Sequence, residues 1–207
     1  MISKEENKQP QLYGLVLAGG KSMRMGHDKG IIKWHGIEQR YYMADLLKSV
    51  CANVIISCRP EQQNEIDPKY QVIPDSVTGA GPMTGIMSAF KAHTDVAWLV
   101  TACDLPLLDA ATLQYLIENR APNGIATTFE SPFDSLPEPL ITIWEPAGYD
   151  ILSFLANDVT CPRKVLIRNS GQVKMLKPPD PDALMNANTP EDAEKVKLII
   201  HSISKPL

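Results

Sequence analysis

No apolar stretch in the 207 residues approaches the roughly 18–20 that a membrane-spanning helix needs, so no membrane partner is expected. The four cysteines, Cys51, Cys58, Cys103 and Cys161, form no CxxC pair. That removes the zinc-ribbon and dithiol motifs, and in a reducing compartment all four read as small buried hydrophobes. Basic charge is scarce as well. The net charge is -4, whereas a nucleic-acid binder carries a strongly basic face, so no nucleic-acid partner is expected. His27, His35 and His93 stand at no metal-ligand spacing. There is no internal repeat and no low-complexity tract. The opening MISKEENKQPQ has no apolar signal core, from which we expect no export signal, a disordered lead over residues 1–11 and a cytoplasmic location.

What is present is an ordinary soluble composition, 44% hydrophobic and 21% charged, long enough for one core without staples; residues 12–207 are expected to form a single domain. Residues 13–18 (YGLVLA) form a short apolar run that stops at Gly19-Gly20, the pattern of a buried strand feeding a loop. Similar runs recur at residues 53–58, 70–73, 96–103, 124–128 and 139–144. Between them, residues 42–50, 83–92 and 110–117 show helical spacing, the last with Asp109 as its cap. Strands alternating with helices imply βαβ crossovers. The fold class is therefore α/β: a three-layer, open, mainly parallel sheet with helices on both faces, binding ligands at the carboxyl ends of its strands. Prolines concentrate at residues 132–139 and 178–181. Neither stretch is expected to be a regular element; the first reads as an excursion near the site, the second as a connector before the last strand and helix.

The loop after the first strand carries the chemistry. Lys21, Arg24, Lys29 and Lys33 fall within thirteen residues that hold one acidic side chain, Asp28. A charge cluster alone reads as a solvated loop. Gly19, Gly20 and Gly26 change that reading, because they let successive N–H groups approach phosphate oxygens. Two familiar phosphate loops fail on spacing. GxGxxG is broken because Gly19 and Gly20 are adjacent and position 24 is Arg; GxxxxGK[ST] would need glycine where Leu15 stands.

The segment LAGGKSMRMGHDK resembles the signature LAGG-x-S-x-R-M-G-x-DK of the molybdenum cofactor guanylyltransferases, nucleotidyltransferases with a Rossmann-like fold. Further matches follow in order: Asp75 in VIPDS, residues 79–86 (GAGPMTGI), Asp104 in ACDLP, Glu138-Pro139-Leu140, and residues 186–192 (NANTPED). Cytidylyl-transferring relatives more often show Ala-Ala-Gly where Ala18-Gly19-Gly20 stands here, which favours guanylyl transfer. Ser57 replaces an asparagine frequent in relatives at the end of the second strand, and residues 130–137 match nothing in the pattern.

The resemblance implies transfer of GMP from GTP to the terminal phosphate of molybdopterin or its molybdenum form, with Mg²⁺ as cofactor. Transient contact with other proteins of cofactor biosynthesis is a further implication. Neighbouring readings are a cytidylyl- or sugar-phosphate nucleotidyltransferase and a non-catalytic GTP-binding subunit. The implied nucleotide set is Leu17, Ala18, Gly19, Gly20, Lys21, Ser22, Lys29, Ser57, Asp75, Gly81 and Asp104. Asp104, Lys29 and Arg24 are assigned catalytic roles: Asp104 as metal ligand, Lys29 on the triphosphate, Arg24 on the leaving pyrophosphate. An aspartate at position 104 also suits a helix cap, but Asp109 is better placed for that. Asn186 or Asn188 is expected to join Asp104 at the metal, since Mg²⁺ takes few carboxylates and accepts neutral oxygens. Thr189 to Asp192 read as a helix start, and Asp28 as a salt-bridge partner orienting Lys29 or Arg24. Asp75 reads either as a turn former or as a nucleotide contact. The three tryptophans read as packing rather than as a base platform.

Overall fold

The computed structural model of the chain describes residues 9–20, 28–76, 81–155 and 161–203. Its seven strands are β1 (Leu12–Leu17), β2 (Asn53–Cys58), β3 (Gln71–Pro74), β4 (Ala97–Ala102), β5 (Ala126–Glu130), β6 (Pro137–Trp144) and β7 (Val173–Leu176). They form one sheet in the order β3-β2-β1-β4-β6-β5-β7, in which β6 alone runs against its neighbours. The expected open, mainly parallel α/β layer structure is what forms. The helices are α1 (Gln39–Lys48), α2 (Pro82–Ala92), α3 (Ala110–Glu118), α4 (Ala147–Leu155), α5 (Pro162–Arg168) and α6 (Pro190–Ile203). Among the described residues no helix is long and apolar enough to cross a membrane.

The central strands are continuous apolar runs because helices cover both faces of the sheet. Every residue of β4 is buried. Since successive side chains in a strand point to opposite faces, adjacent residues feed different cores. Val16, Ile56 and Leu99 pack under α1 and α3, with Met43, Leu47, Leu113 and Leu116. Their neighbours Leu15, Ile55, Trp98 and Val100 pack under α2, α4 and α5, with Ile86, Phe90, Leu152, Val165 and Leu166. Trp98 and Trp144 are fully buried, in keeping with their reading as packing residues. Asp109 caps α3, accepting from the Thr112 N–H at 2.7 Å.

The structure departs from the sequence reading in four places. The proline-rich stretch at 132–139 is irregular only as far as Leu136, because β6 begins at Pro137. The pairing explains this: β4 meets β6 only from Ile141 onward, so Pro137 and Pro139 sit where that side of the ladder asks for no N–H donor. The stretch at 178–181 precedes one short 3-10 turn and α6, the last strand having already passed. Cys58 and Cys103 are buried, but Cys51 and Cys161 are partly exposed. Burial pushes the Cys58 thiol up to about 11, which makes it inert at neutral pH. Finally, residues 9–11 are tied down: Gln11 O accepts from the Ala97 N–H at 2.8 Å and Pro10 O from Arg120 Nη1 at 3.0 Å.

Arg120 also makes a two-pronged pair with Glu145, Nε–Oε1 and Nη2–Oε2 both at 2.7 Å, with Glu145 fully buried. It thereby joins the end of α3, the end of β6 and the segment entering β1. Removing one member of such a pair leaves an uncompensated buried charge. Glu145→Ala is therefore expected to lower unfolding free energy by about 3–5 kcal/mol in urea titration, whereas Lys197→Ala at an exposed pair costs less than about 1 kcal/mol.

Candidate active site

The site is assembled by strand order. β1 sits between β2 and β4, with Leu17 beside Ser57 on one side and Ala102 on the other. The chain leaves β1 toward β2 and reaches β4 by a separate crossover, so the carboxyl ends of β1 and β4 flank a switch point where a crevice opens. A cavity of about 750 Å³ lies there. Leu17, Ala18, Gly19, Gly20, Lys29, Ser57, Asp75, Gly81, Asp104 and Asn188 all line it. Asn186 is not among the lining residues, and Lys21, Ser22 and Arg24 lie outside the described residues.

At the floor of the cavity, Lys29 Nζ bridges two residues from distant parts of the chain. It donates to Asp104 Oδ2 at 3.3 Å and to Asn188 Oδ1 through a short hydrogen bond. Asp104 is mostly buried, and its other oxygen, Oδ1, has no hydrogen-bond partner among the described residues. A buried carboxylate oxygen without a partner costs free energy unless something polar meets it, so this atom marks a place for a cation or donor. Asn188 is held in register by its neighbours. The Ala187 N–H donates to Asp104 O at 2.8 Å, and Asp192 Oδ2 accepts from the Asn188 and Thr189 N–H groups at 3.2 and 3.0 Å. Thr189 Oγ1 in turn accepts from the Asp192 N–H at 3.1 Å, so the helix start read at Thr189 to Asp192 is a reciprocal cap.

Asp28 was expected to pair with Lys29 or Arg24; Arg24 lies outside the described residues, and no ion pair to Lys29 forms, since the Asp28 Oδ1 accepts from the Gly30 N–H at 2.8 Å and its Oδ2 from Gln62 Nε2 at 2.5 Å. The backbone turns into a short 3-10 helix at Lys29–Ile31, and Asp28 caps it. That turn carries Lys29 toward Asp104 instead.

The other end of the cavity is built on β2 and β3. Ser57 Oγ donates to Asp75 Oδ1 at 2.8 Å, and the Asp75 N–H donates to Cys58 O at 2.9 Å. Burial raises the Asp75 carboxyl above the usual aspartate range, against the opposing effects of the Ser57 hydroxyl and Arg59. Gly81 stands at φ +83 before α2, a backbone conformation that favours glycine. Glu138 is buried beside Arg163 Nη2 at 3.2 Å; burial raises its carboxyl, Arg163 opposes this, and the charge of Asp104 adds to it.

Among the lining residues, sequence reasoning missed Arg59 and quoted Thr84 and Leu140 only as members of motifs, without a role. Arg59 follows directly on β2, and a cation at the carboxyl end of a parallel strand was a signal that could have found it. Among the described residues no three His, Cys, Asp or Glu side chains gather into a metal cage. The oxygen set at the floor is one carboxylate and one amide, a set that suits a magnesium ion completing its shell from water and phosphate.

An open, mainly parallel sheet with a crevice at its switch point, floored by a lysine, an aspartate and an asparagine, makes an α/β domain of the class that binds charged ligands at its strand ends. Residues 14–172 match the MobA-like NTP transferase domain, and the chain belongs to that family. It is 34% identical over 191 residues to a molybdenum cofactor biosynthesis bifunctional protein of Synechocystis, a match covering 91% of this chain and 54% of that one. The chain thus spans about half the length of that relative. A probable molybdenum cofactor guanylyltransferase of Trichormus variabilis is 32% identical over 200 residues, covering 87% of this chain and 88% of the relative. The fold is also that of molybdopterin-guanine dinucleotide biosynthesis protein A from Archaeoglobus fulgidus, with a TM-score of 0.76 at 21% identity over 92% of this chain and 99% of that one.

Gly85 on α2 packs closely against Ser57 and Leu17 at the wall of the cavity. A Cβ there would stand 2.5 Å from Ser57 Oγ and 2.7 Å from Leu17 Cδ2. Gly85→Ala is expected to displace Ser57 from Asp75 and to cost about 1–3 kcal/mol in denaturant titration. A loss below about 0.5 kcal/mol would show that α2 can move away freely.

Proposed function

We propose that the chain transfers GMP from GTP to the terminal phosphate of molybdopterin or its molybdenum form, releasing pyrophosphate. A phosphate oxygen of the acceptor attacks the α-phosphorus, the bond to the β,γ-diphosphate breaks, and a new diphosphate linkage joins the two halves. Such a transfer rests on positioning and charge neutralisation. The observation that carries the reading is the meeting of Lys29, Asp104 and Asn188 in one cavity with Gly19 and Gly20.

In this reading Lys29 serves the triphosphate, and Arg24 and Lys21 add positive charge from the same loop. Gly19, Gly20 and Ser22 offer the loop's donors, while Leu17, Ala18, Gly81, Ser57 and Asp75 hold the nucleoside end. Asp104 and Asn188 are the residues that would hold Mg²⁺, through the unpartnered Oδ1 and the amide oxygen. Bound there, the ion would supply Lewis-acid neutralisation at the α-phosphate. Asn188, rather than Asn186, is the neutral ligand we favour, since it lines the cavity. A cytoplasmic location, a single domain over residues 12–207 and passing contact with other proteins of cofactor biosynthesis complete the proposal.

A non-catalytic GTP-binding subunit would not need a metal ligand at the α-phosphate, the role we assign to Asp104 Oδ1, which has no partner among the described residues. Pyrophosphate release, measured with each of the four nucleoside triphosphates and molybdopterin, is expected to be highest with GTP. Preference for CTP, or dependence on a sugar phosphate, would shift the reading to a neighbouring transferase. Asp104→Asn is expected to lower turnover about 10²–10³-fold while keeping most of the GTP affinity. Unchanged turnover in that variant would overturn the catalytic assignment.

A further inference from the structure

Gly19 and Asp28 flank the stretch on which the proposed triphosphate site depends, and these two feet rest on one short segment. Arg59 Nη1 donates to the Gly19 carbonyl at 2.8 Å, fixing the first foot. Three residues on, Gln62 Nε2 donates to Asp28 Oδ2 at 2.5 Å, fixing the second. The two anchors are themselves joined, because the Arg59 N–H donates to Gln62 Oε1 at 3.1 Å. Asp28 passes the restraint on through the Gly30 N–H at 2.8 Å, which sets the turn that aims Lys29 at Asp104.

Several features show that this arrangement is more than a surface contact. Gln62 is 4% exposed, an amide buried far from any apolar requirement. Its orientation is fixed by its partners: a carboxylate only accepts and a backbone N–H only donates, so the amide nitrogen must face Asp28 and the amide oxygen must face Arg59. The anchoring segment, a 3-10 turn at Pro60–Glu65, follows directly on β2, so its place is set by the same sheet that carries Asp104.

We propose that Arg59 and Gln62 form a clamp that holds Gly19 and Asp28 and so positions Lys29 for the triphosphate. They act through Gly19 and Asp28 and do not themselves touch the reacting atoms; the inference rests on the nucleotidyltransferase reading above. Asp28 completes the clamp as the acidic side chain that Gln62 grips, which accounts for a carboxylate among so many cations.

The test swaps the polarity of the buried pair. Asp28→Asn removes a negative charge close to the triphosphate site, so electrostatics alone would tighten GTP binding. The clamp requires the opposite, because two amides, one at position 28 and the other that of Gln62, cannot satisfy each other, Arg59 and Gly30 at once. Gln62→Glu sets two carboxylates against each other. The double variant restores one donor facing one acceptor and returns the net charge to -4. Calorimetry with Mg²⁺–GTP is expected to show each single variant binding about tenfold or more weaker, with the double variant recovering to within about threefold of the unsubstituted protein. Steady-state rates should show the loss in KM for GTP, with kcat at saturation within about threefold. Thermal unfolding in the same samples confirms that each variant is folded at the assay temperature. GTP binding by folded Asp28→Asn that is unchanged or tighter, or a double variant no better than the singles, overturns the clamp. If the unsubstituted chain binds no nucleoside triphosphate, the nucleotide reading falls and takes the clamp with it.

Discussion

The parallel pairing of β1 with β4 is the constraint on which everything at the site depends. Leu17 is set beside Ala102 by a ladder of backbone hydrogen bonds, although the two are far apart in the chain. Slanted, evenly spaced parallel ladders tolerate no slip when both faces are buried, since moving one residue would exchange the two cores. Because the register is locked, the loop leaving β1 and the aspartate leaving β4 must emerge side by side. The crevice at the switch point is therefore a product of connectivity, and its chemistry comes from whichever residues follow the two strands.

Electrostatics at the floor follows from that placement. Asp104 is carried to the edge of a strand whose every residue is buried, where its carboxylate cannot be fully hydrated. Lys29 supplies one compensating charge, and the N–H of Ala187 draws the 186–188 segment onto the Asp104 backbone. Asn188 then faces the same ammonium. The reciprocal cap at Thr189 and Asp192 makes the first turn of α6 part of the site's scaffold. Hydrogen bonds and burial thus tie three separate segments to one polar point, and one carboxylate oxygen there has no partner among the described residues.

Much of this was legible in the sequence because it was local. Continuous apolar runs gave away β1, β2 and β4, since a strand covered on both faces has no polar side to interrupt it. Asp109 before an apolar-periodic segment gave away a cap. The glycine pair after an apolar strand was visible for the same reason, whereas Asp104 and the alternatives Asn186 and Asn188 were singled out by the family resemblance. What stayed hidden was non-local or weakly patterned. β7 lies at the sheet edge with its two middle residues, Lys174 and Met175, exposed, so its run VKML carries no strand signature. α4 carries Phe154 at 81% exposure, which blurs its apolar stripe, and α5, at seven residues, is too short to show a period. Strand β6 tolerates Pro137 and Pro139 only because β4 ends where it does, a fact about a neighbour. The Gln62 amide that meets Asp28 stayed hidden because the fold brings it up from the turn after β2, far along the chain.

If the crevice between β1 and β4 works as proposed, triphosphate and metal gather there onto Lys29, Asp104 and Asn188. The most direct measurement is a crystal structure with Mn²⁺ and a GTP analogue whose α–β bridge is a methylene group, using anomalous scattering to find the metal. The expected result is a peak about 2.0–2.2 Å from Asp104 Oδ1, with Asn188 and the α-phosphate completing the contact and Lys29 turned onto phosphate oxygens. A metal bound elsewhere, or a nucleotide seated away from Gly19-Gly20 with Lys29 still on Asp104, would contradict it.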